Sequence, residues 1–330
     1  MIEFGLLEES GVEQRTEAGR PKRQLQLRGD YGNFVGFDFD ARNIFAVLVD
    51  FSGTTIDKRC ISLSGRPSRT EVIEHLHAIL DEFRNDSSGS STLGIGIGVP
   101  GAVQQSDRIG LGYHYISDWT NVDLCSELNL DPEMLRIDNN TRTTALGEYW
   151  LGENTGIEHL VCITVRTGIS AAIISDGLLL RGAHEMAGEI RGWSVIDTSD
   201  SANLTPAWLE DKATVRSISP EGLTSPELWQ SFVSQCQEGD RDALNQLNVI
   251  TKYHADAIAR MIQLADPQVV VFSGSFNEIG EVYLDRIREA TTISLLGQYF
   301  TTPPIRFVSL GQFTGAQGAA ALAANHFKPS

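Results

Sequence analysis

Three Asx residues in a row, Asp138, Asn139 and Asn140, stand where the apolar strand end Leu135 and Ile137 gives way to a helical stretch through Thr144, Ala145 and Leu146. Side chains of this type at a strand-to-helix junction accept hydrogen bonds from the unpaired N–H groups of the first helical turn. They also put polar groups at the mouth of a cleft, where a ligand could meet them. The amides among them suit hydrogen bonding to a polar ligand. A neutral amide donates and accepts, but it does not take up a proton near neutral pH.

The surrounding elements follow from hydrophobic periodicity. Residues 34–40, FVGFDFD, alternate with the period of a half-buried strand; Ile44 to Asp50 is a second strand and Ile56 to Ser62 a third. The short turns Ala41 to Asn43 and Ser52-Gly53 make these an antiparallel meander. Val72, Ile73, Leu76, Ile79, Leu80 and Phe83 recur at helical spacing, and a Gly-rich strand follows from Leu93 to Gly98. A second round opens at Leu160 with LVCITV, ISAAIIS and Leu178 to Leu180. It continues with a helix from Tyr253 to Leu264, a buried strand from Val269 to Phe272, a helix from Tyr283 to Ala290, a strand from Ile305 to Val308 and a helix from Gly318 to His326. Two halves, each a strand meander followed by helix and strand alternation, predict an internal duplication and two α/β lobes.

Composition narrows the classes. A chain of 330 residues suits two lobes, and 41% hydrophobic residues exclude disorder. No apolar run approaches the ~20 residues of a membrane span. The first residues, MIEFGLLEESG, lack the basic and apolar regions of a secretory signal, so a cytoplasmic protein is expected. Cys60, Cys125, Cys162 and Cys236 lie far apart, with no C-x-x-C pattern, and are expected to be dispersed core thiols. A formal charge of −17 repels phosphate backbones, so the body is not a DNA-binding surface. The local exception is Arg15 to Arg28, which holds Arg15, Arg20, Lys22, Arg23 and Arg28 and is either a solvated loop or a DNA contact.

Residues 137–148, IDNNTRTTALGE, resemble the active-site stretch V-E-N-D-A-N-A-A-A-L-G-E of the ROK family of repressors, open reading frames and sugar kinases. Further motifs stand in order along nearly the whole chain. Gly96 to Gly101 is similar to the family's G-x-x-x-P-G loop, Trp119 to Leu124 to W-x-N-V-P-L, and Gly182 to Glu189 to G-x-x-x-x-A-G-E. Ala265 to Pro267 and Gly318 to Ala320 complete the frame. The resemblance implies an α/β, two-lobed, actin-like (ribonuclease-H-like) sugar kinase fold. The expected division is a DNA-binding remnant at 1–31, an N-terminal lobe at 32–147 and a C-terminal lobe at 148–330, with the last helix packing back on the first lobe.

The departures from the family pattern carry the functional expectation. Asn140 falls on the family's catalytic Asp, the base that takes the proton of the sugar hydroxyl. The phosphate motif D-x-G-G-T-K reads Asp38 to Asn43, DFDARN, so Asp40 sets a carboxylate where phosphate should pass. The second phosphate loop, G-T-G-I-G, reads Arg166 to Ser170, and the Gly-Gly pair of the nucleotide-side loop reads Ser273-Gly274. Phosphoryl transfer depends on positioning and charge stabilisation, so no kinase activity and no ATP binding are expected. The family's structural zinc is held by one His and three Cys. Here Gly192 falls on the His, residues 194–210 hold no Cys, and Trp208 stands on the last Cys position. No zinc is expected, and in its place the stretch around Trp193 and Trp208 is expected to form either an apolar plug or a surface loop.

Of the sugar-contacting positions, Asn139, Glu189 and Glu210 match, Asn140 remains able to bond a hydroxyl, and Tyr115 falls on a cleft Asn. Arg191 either attracts an anionic group or faces solvent. The start, MIEFGLLEESG followed by GRPKR at 19–23, resembles the last turn of a recognition helix, the wing and the linker of a winged helix-turn-helix in the repressor branch. The expected function is a sugar-responsive transcriptional regulator, read here as its effector-binding body. It would bind a sugar or sugar phosphate, assemble as a dimer or tetramer, and meet DNA only through a helix-turn-helix largely absent from this chain. The alternatives are a sugar kinase acting on a hexose or amino sugar with ATP, and a ligand-free docking module.

Overall fold

The computed structural model describes residues 5–13, 22–63, 66–86, 90–153, 156–197, 204–219, 225–295 and 301–329. Its core is two five-stranded sheets with one topology. In the first, Asn33–Phe39 pairs antiparallel with Asn43–Asp50, which pairs with Thr55–Ser62. On its other side Asn33–Phe39 runs parallel to Thr92–Val99, and Leu135–Asn139 lies parallel beyond that. In the second sheet Leu160–Val165 takes the same central place. Ile169–Ser175 and Leu178–Leu179 lie antiparallel on one side, and Val269–Gly274 and Ile305–Phe307 lie parallel on the other. The duplication read from the sequence is therefore present as a repeated strand order.

Central strands covered on both faces read as continuous apolar runs, and every residue of Asn33–Phe39 and Leu160–Val165 is buried. Thr55–Ser62, at the edge of its sheet, alternates instead between half-buried and exposed. Helix Arg69–Asp86 supplies Val72, Leu76, Ile79 and Phe83 to a core with Phe37, Phe39, Ile95 and Ile97. The opposite face of the first sheet is covered by Thr314–His326, whose Ala316, Ala320 and Ala323 pack on Phe34, Phe45 and Val47. That approach needs glycine beneath it. A Cβ on Gly36 would lie 2.0 Å from the Ala316 carbonyl oxygen, and one on Gly96 1.8 Å from that of Ala319.

Some elements differ from the expectation. The helix expected over 253–264 runs Arg241–Ala265, capped by Asp240, whose carboxylate accepts from the Asp242 and Ala243 N–H groups. A helix missing from the sequence reading, Pro226–Glu238, precedes it and buries Trp229, Phe232, Val233 and Cys236. Its signals were present: Ser225 as N-cap, Pro226 in the first turn and Gly239 as a left-handed stop. The apolar plug does not form as expected. Ser194–Asp197 and Thr205–Trp208 make an antiparallel hairpin on which Trp208 is 58% exposed. Only Trp193 packs inward, against the second core and under the Arg260 guanidinium. Of the four thiols only Cys162 and Cys236 are buried, while Cys60 is exposed and Cys125 half-buried.

Leu7–Glu13 and Lys22–Leu27 pair antiparallel as a separate hairpin at the position expected for a wing. Residues 1–4, Arg15 and Arg20, and the side chains of Lys22 and Arg23, lie outside the described residues. No described helix is long and apolar enough to cross a membrane.

Candidate functional site

The first sheet ends its parallel strand Leu135–Asn139 directly beneath helix Asn140–Leu151, so the Asx cluster stands at the cleft between the sheets. Asn139 is the N-cap: its Oδ1 accepts from the Thr141 N–H at 2.9 Å, and its Nδ2 donates to the Gly101 carbonyl at 2.8 Å. The residue expected to meet a ligand thus also ties the helix to the Pro100-Gly101 loop. Asn140 follows as the first helical residue and is buried, with its Nδ2 donating to the Phe39 carbonyl oxygen at 3.1 Å. This bond requires an amide, because a carboxylate presents only acceptors. The Asn140 Oδ1 takes no hydrogen bond from the described residues and is available to a hydroxyl.

All four expected site residues, Asn139, Asn140, Glu189 and Glu210, line one pocket, together with Asp40 and Arg191. Glu189 ends the loop that follows the second meander, and Glu210 lies on the short helix Leu209–Lys212 after the hairpin. Burial pushes the Glu189 carboxyl above the usual carboxylate range, against the opposing pull of Arg191 and Arg142. Burial likewise raises Glu210, opposed by Arg191 and Arg216. The Arg191 Nε lies 3.9 Å from the Glu189 Oε2, so Arg191 faces the pocket while its side chain stays 44% exposed. Tyr115 is not at the pocket. It is buried, bonds the Arg216 guanidinium, and its hydroxyl is pushed up to about 12 chiefly by burial. Its neighbour Tyr113 lines the pocket instead.

The phosphate-loop positions hold an ion pair. Arg166 donates to both carboxylate oxygens of Asp38, at 3.0 and 2.6 Å. Asp38 is fully buried, and the Arg166 side chain is 10% exposed. Burial pushes the Asp38 carboxyl up against the pull of Arg166; burial also pulls the Arg166 guanidinium down, but the charge and hydrogen bonds of Asp38 outweigh it and hold Arg166 above its usual value. Arginine keeps its proton throughout, so only Asp38 can discharge the pair. Beside it Asp40 turns inward on its own loop, its Oδ1 accepting from the Arg42 and Asn43 N–H groups at 2.7 and 2.9 Å. Thus Asp40 closes an Asx turn where the family's glycines would open the backbone to phosphate.

Asp40 and Arg166 separate two spaces. On one side is a cavity of about 690 Å³, lined among others by Arg42, Phe45, Arg66, Ser273, Gly274 and Asn277. On the side of Asn140 and Glu189 the cavity is about 40 Å³, room for water but not for a sugar ring. Thr141 and Ser170 pair their hydroxyls across this narrow side.

At the zinc-loop positions, Gly192 has no side chain, and no group of three His, Cys, Asp or Glu that could hold a metal ion occurs among the described residues. The residues there do not fit the family's zinc.

Comparison with known proteins follows the same lines. A family model described as ROK family matches residues 34–326. The chain is 25% identical to the xylose repressor of Caldicellulosiruptor bescii, over 91% of this chain and 80% of the repressor. Among solved structures, a ROK family transcriptional regulator described as a homolog of the E. coli MLC protein gives a TM-score of 0.76 at 20% identity, covering 98% of this chain and 86% of that one. A ROK family glucokinase from Streptomyces griseus, solved with glucose and AMPPNP, gives 0.74 at 23% identity, covering 89% of this chain and 100% of that one. At these identities the structural matches carry the fold, which is the two-lobed actin-like one.

Proposed function

Because the chain belongs to the ROK family, we propose that it is the sugar-sensing body of a transcriptional regulator and carries no sugar kinase activity. The observation that supports this best is the Asn140 amide. It occupies the place of the base, and it donates to the Phe39 carbonyl, a bond that no carboxylate base can make. The Arg166 to Asp38 pair and the Asp40 turn, in place of two phosphate loops, support it further. The ligand is a sugar or sugar phosphate whose hydroxyls meet Glu189, Glu210 and the Asn140 Oδ1. Since the sugar side is narrow, binding shifts the separation of the lobes. In a dimer or tetramer that shift re-spaces N-terminal DNA-binding arms, to which the Leu7–Leu27 hairpin belongs as wing. Neither ATP nor zinc is part of the site, and the protein works in the cytoplasm.

A thermal-shift panel of xylose, glucose, their phosphates and ATP tests the reading. One sugar or sugar phosphate is expected to raise Tm, with about 2.7 kcal/mol of stabilisation at a hundredfold excess over Kd, while ATP gives no shift. Glu189→Ala is expected to abolish the response. If no sugar shifts the transition, the ligand-free docking module becomes the better account. The kinase alternative has its own support, since a cavity of about 690 Å³ remains on the nucleotide side. A coupled assay with ATP that finds turnover near ~1–100 s⁻¹ would establish it instead.

A further inference from the structure

At the strand end beside Asn139 lies a second group of charges that the sugar reading leaves unused. Asp138 is fully buried, and two arginines converge on it. The Arg142 Nη1 stands 3.4 Å from one carboxylate oxygen and the Arg181 Nη1 2.7 Å from the other. The Arg181 contact is close, but it lacks the alignment of a hydrogen bond. Arg142 itself is buried to 3% exposure, on the helix that Asn139 caps. Its Nη2 donates to the main-chain carbonyls of Glu185 and, at 3.4 Å, Ala187.

Those two carbonyls belong to the loop from Arg181 to Glu189. The loop closes on itself through the Ala187 N–H to the Arg181 carbonyl at 3.1 Å, and Glu185 sits in it with a left-handed φ of 56°. Asp138 therefore grips the loop twice, directly through Arg181 at its start and through Arg142 at its middle. Beyond Ala187 the Gly188 carbonyl accepts from the Ala171 N–H, and Glu189 follows into the pocket. A buried arginine that spends its donors on main-chain carbonyls fixes backbone, not charge.

We propose that Arg142 is a positioning residue for the ligand site: anchored on Asp138, it fixes the Arg181 to Glu189 loop and so sets where the Glu189 carboxylate stands. Its first test needs no ligand; its second rests on the sugar-binding reading above. Hydrogen exchange is followed in the full chain and in Arg142→Ala, Arg142→Lys and Asp138→Asn. The Ala187 and Glu189 amides are expected to exchange at least about tenfold faster in each variant, while the Leu160–Val165 amides keep their rates or change less. Lysine keeps a charge beside Asp138 but lacks the planar fork that faces Asp138 with one nitrogen and the two carbonyls with another, so Arg142→Lys separates positioning from folding. Unchanged loop amides in that variant, or acceleration equal to that of the core strand, would overturn the proposal.

The second test measures xylose and glucose binding. Arg142→Lys is expected to weaken the sugar that binds by about tenfold, and the double variant with Glu189→Ala is expected to bind no worse than Glu189→Ala alone. Additive losses would overturn action through Glu189. If the unaltered protein binds neither sugar nor any sugar phosphate, the sugar reading fails, and the exchange measurement still decides the positioning role.

Discussion

Asp38 lies on the central strand of the first sheet, Arg166 directly follows the central strand of the second, 128 positions on, and the two meet as a bidentate pair in the interior. The pair is a covalent-free strap between the two sheets. Burial makes it costly to break by halves, because the remaining partner is left as an uncompensated charge. Arg166→Ala or Asp38→Ala is therefore expected to lower stability by about 3–5 kcal/mol, read by urea denaturation. Joint replacement by Met and Leu is expected to recover most of that loss. Single losses under about 1 kcal/mol, the range of exposed ion pairs, would mean that water reaches the strap.

Asn140→Asp tests the amide directly. A carboxylate oxygen would face the Phe39 carbonyl oxygen without a proton between them, at a cost of about 1–3 kcal/mol near neutral pH. Protonation restores a donor, so the deficit should shrink as pH falls through the raised pKa of the new acid. No sugar turnover is expected from this variant, because the phosphate positions are unchanged. Kinase activity gained by Asn140→Asp alone would show that Asn140 was the only missing part.

The Glu189 carboxyl is raised by burial, so between its unfolded and folded pKa values the native state holds more protons than the unfolded one. Stability from this group therefore falls as pH rises through that window, and the deficit persists above it. Glu189→Gln is expected to be more stable than the parent at pH 7.5, with the difference fading towards about pH 4, near the unfolded value. A Tm series across pH measures this. A difference independent of pH would place its origin in packing.

Gly192 and the Cys-free residues 194–210 offer zinc no tetrahedral set. Elemental analysis of purified protein is expected to find well below one zinc per chain. A stoichiometric amount would place the ligands elsewhere in the chain.

Much of this was legible in the residues. The meanders and the capping role of the Asx cluster followed from local patterns, while the grouping of Asn139, Asn140, Glu189 and Glu210, which line one pocket, was implied only by the family resemblance. What was not legible was long-range pairing. Arg166 reads only as a lost glycine until Asp38 is found beside it, and Arg142 reads as an ordinary helix residue until its carbonyl partners 43 and 45 positions away are seen. Trp208 misled because a bulky apolar residue at a former metal position suggests filling, whereas the hairpin register opposite Ser194 leaves it outside. The Pro226–Glu238 helix was missed although its capping signals are local.

The helix Thr314–His326 lies over a sheet whose strands are complete by Asn139, and this has a consequence for biosynthesis. At the ribosome, 187 residues separate the two (326 − 139), a wait on the order of 10–40 s at ~5–20 residues per second. Throughout it Phe34, Phe45 and Val47 lack their cover. The first lobe is thus the first to be made and among the last to be finished. Expressed alone, residues 32–147 would present that face to other chains, so aggregation rather than a folded half is the expected product.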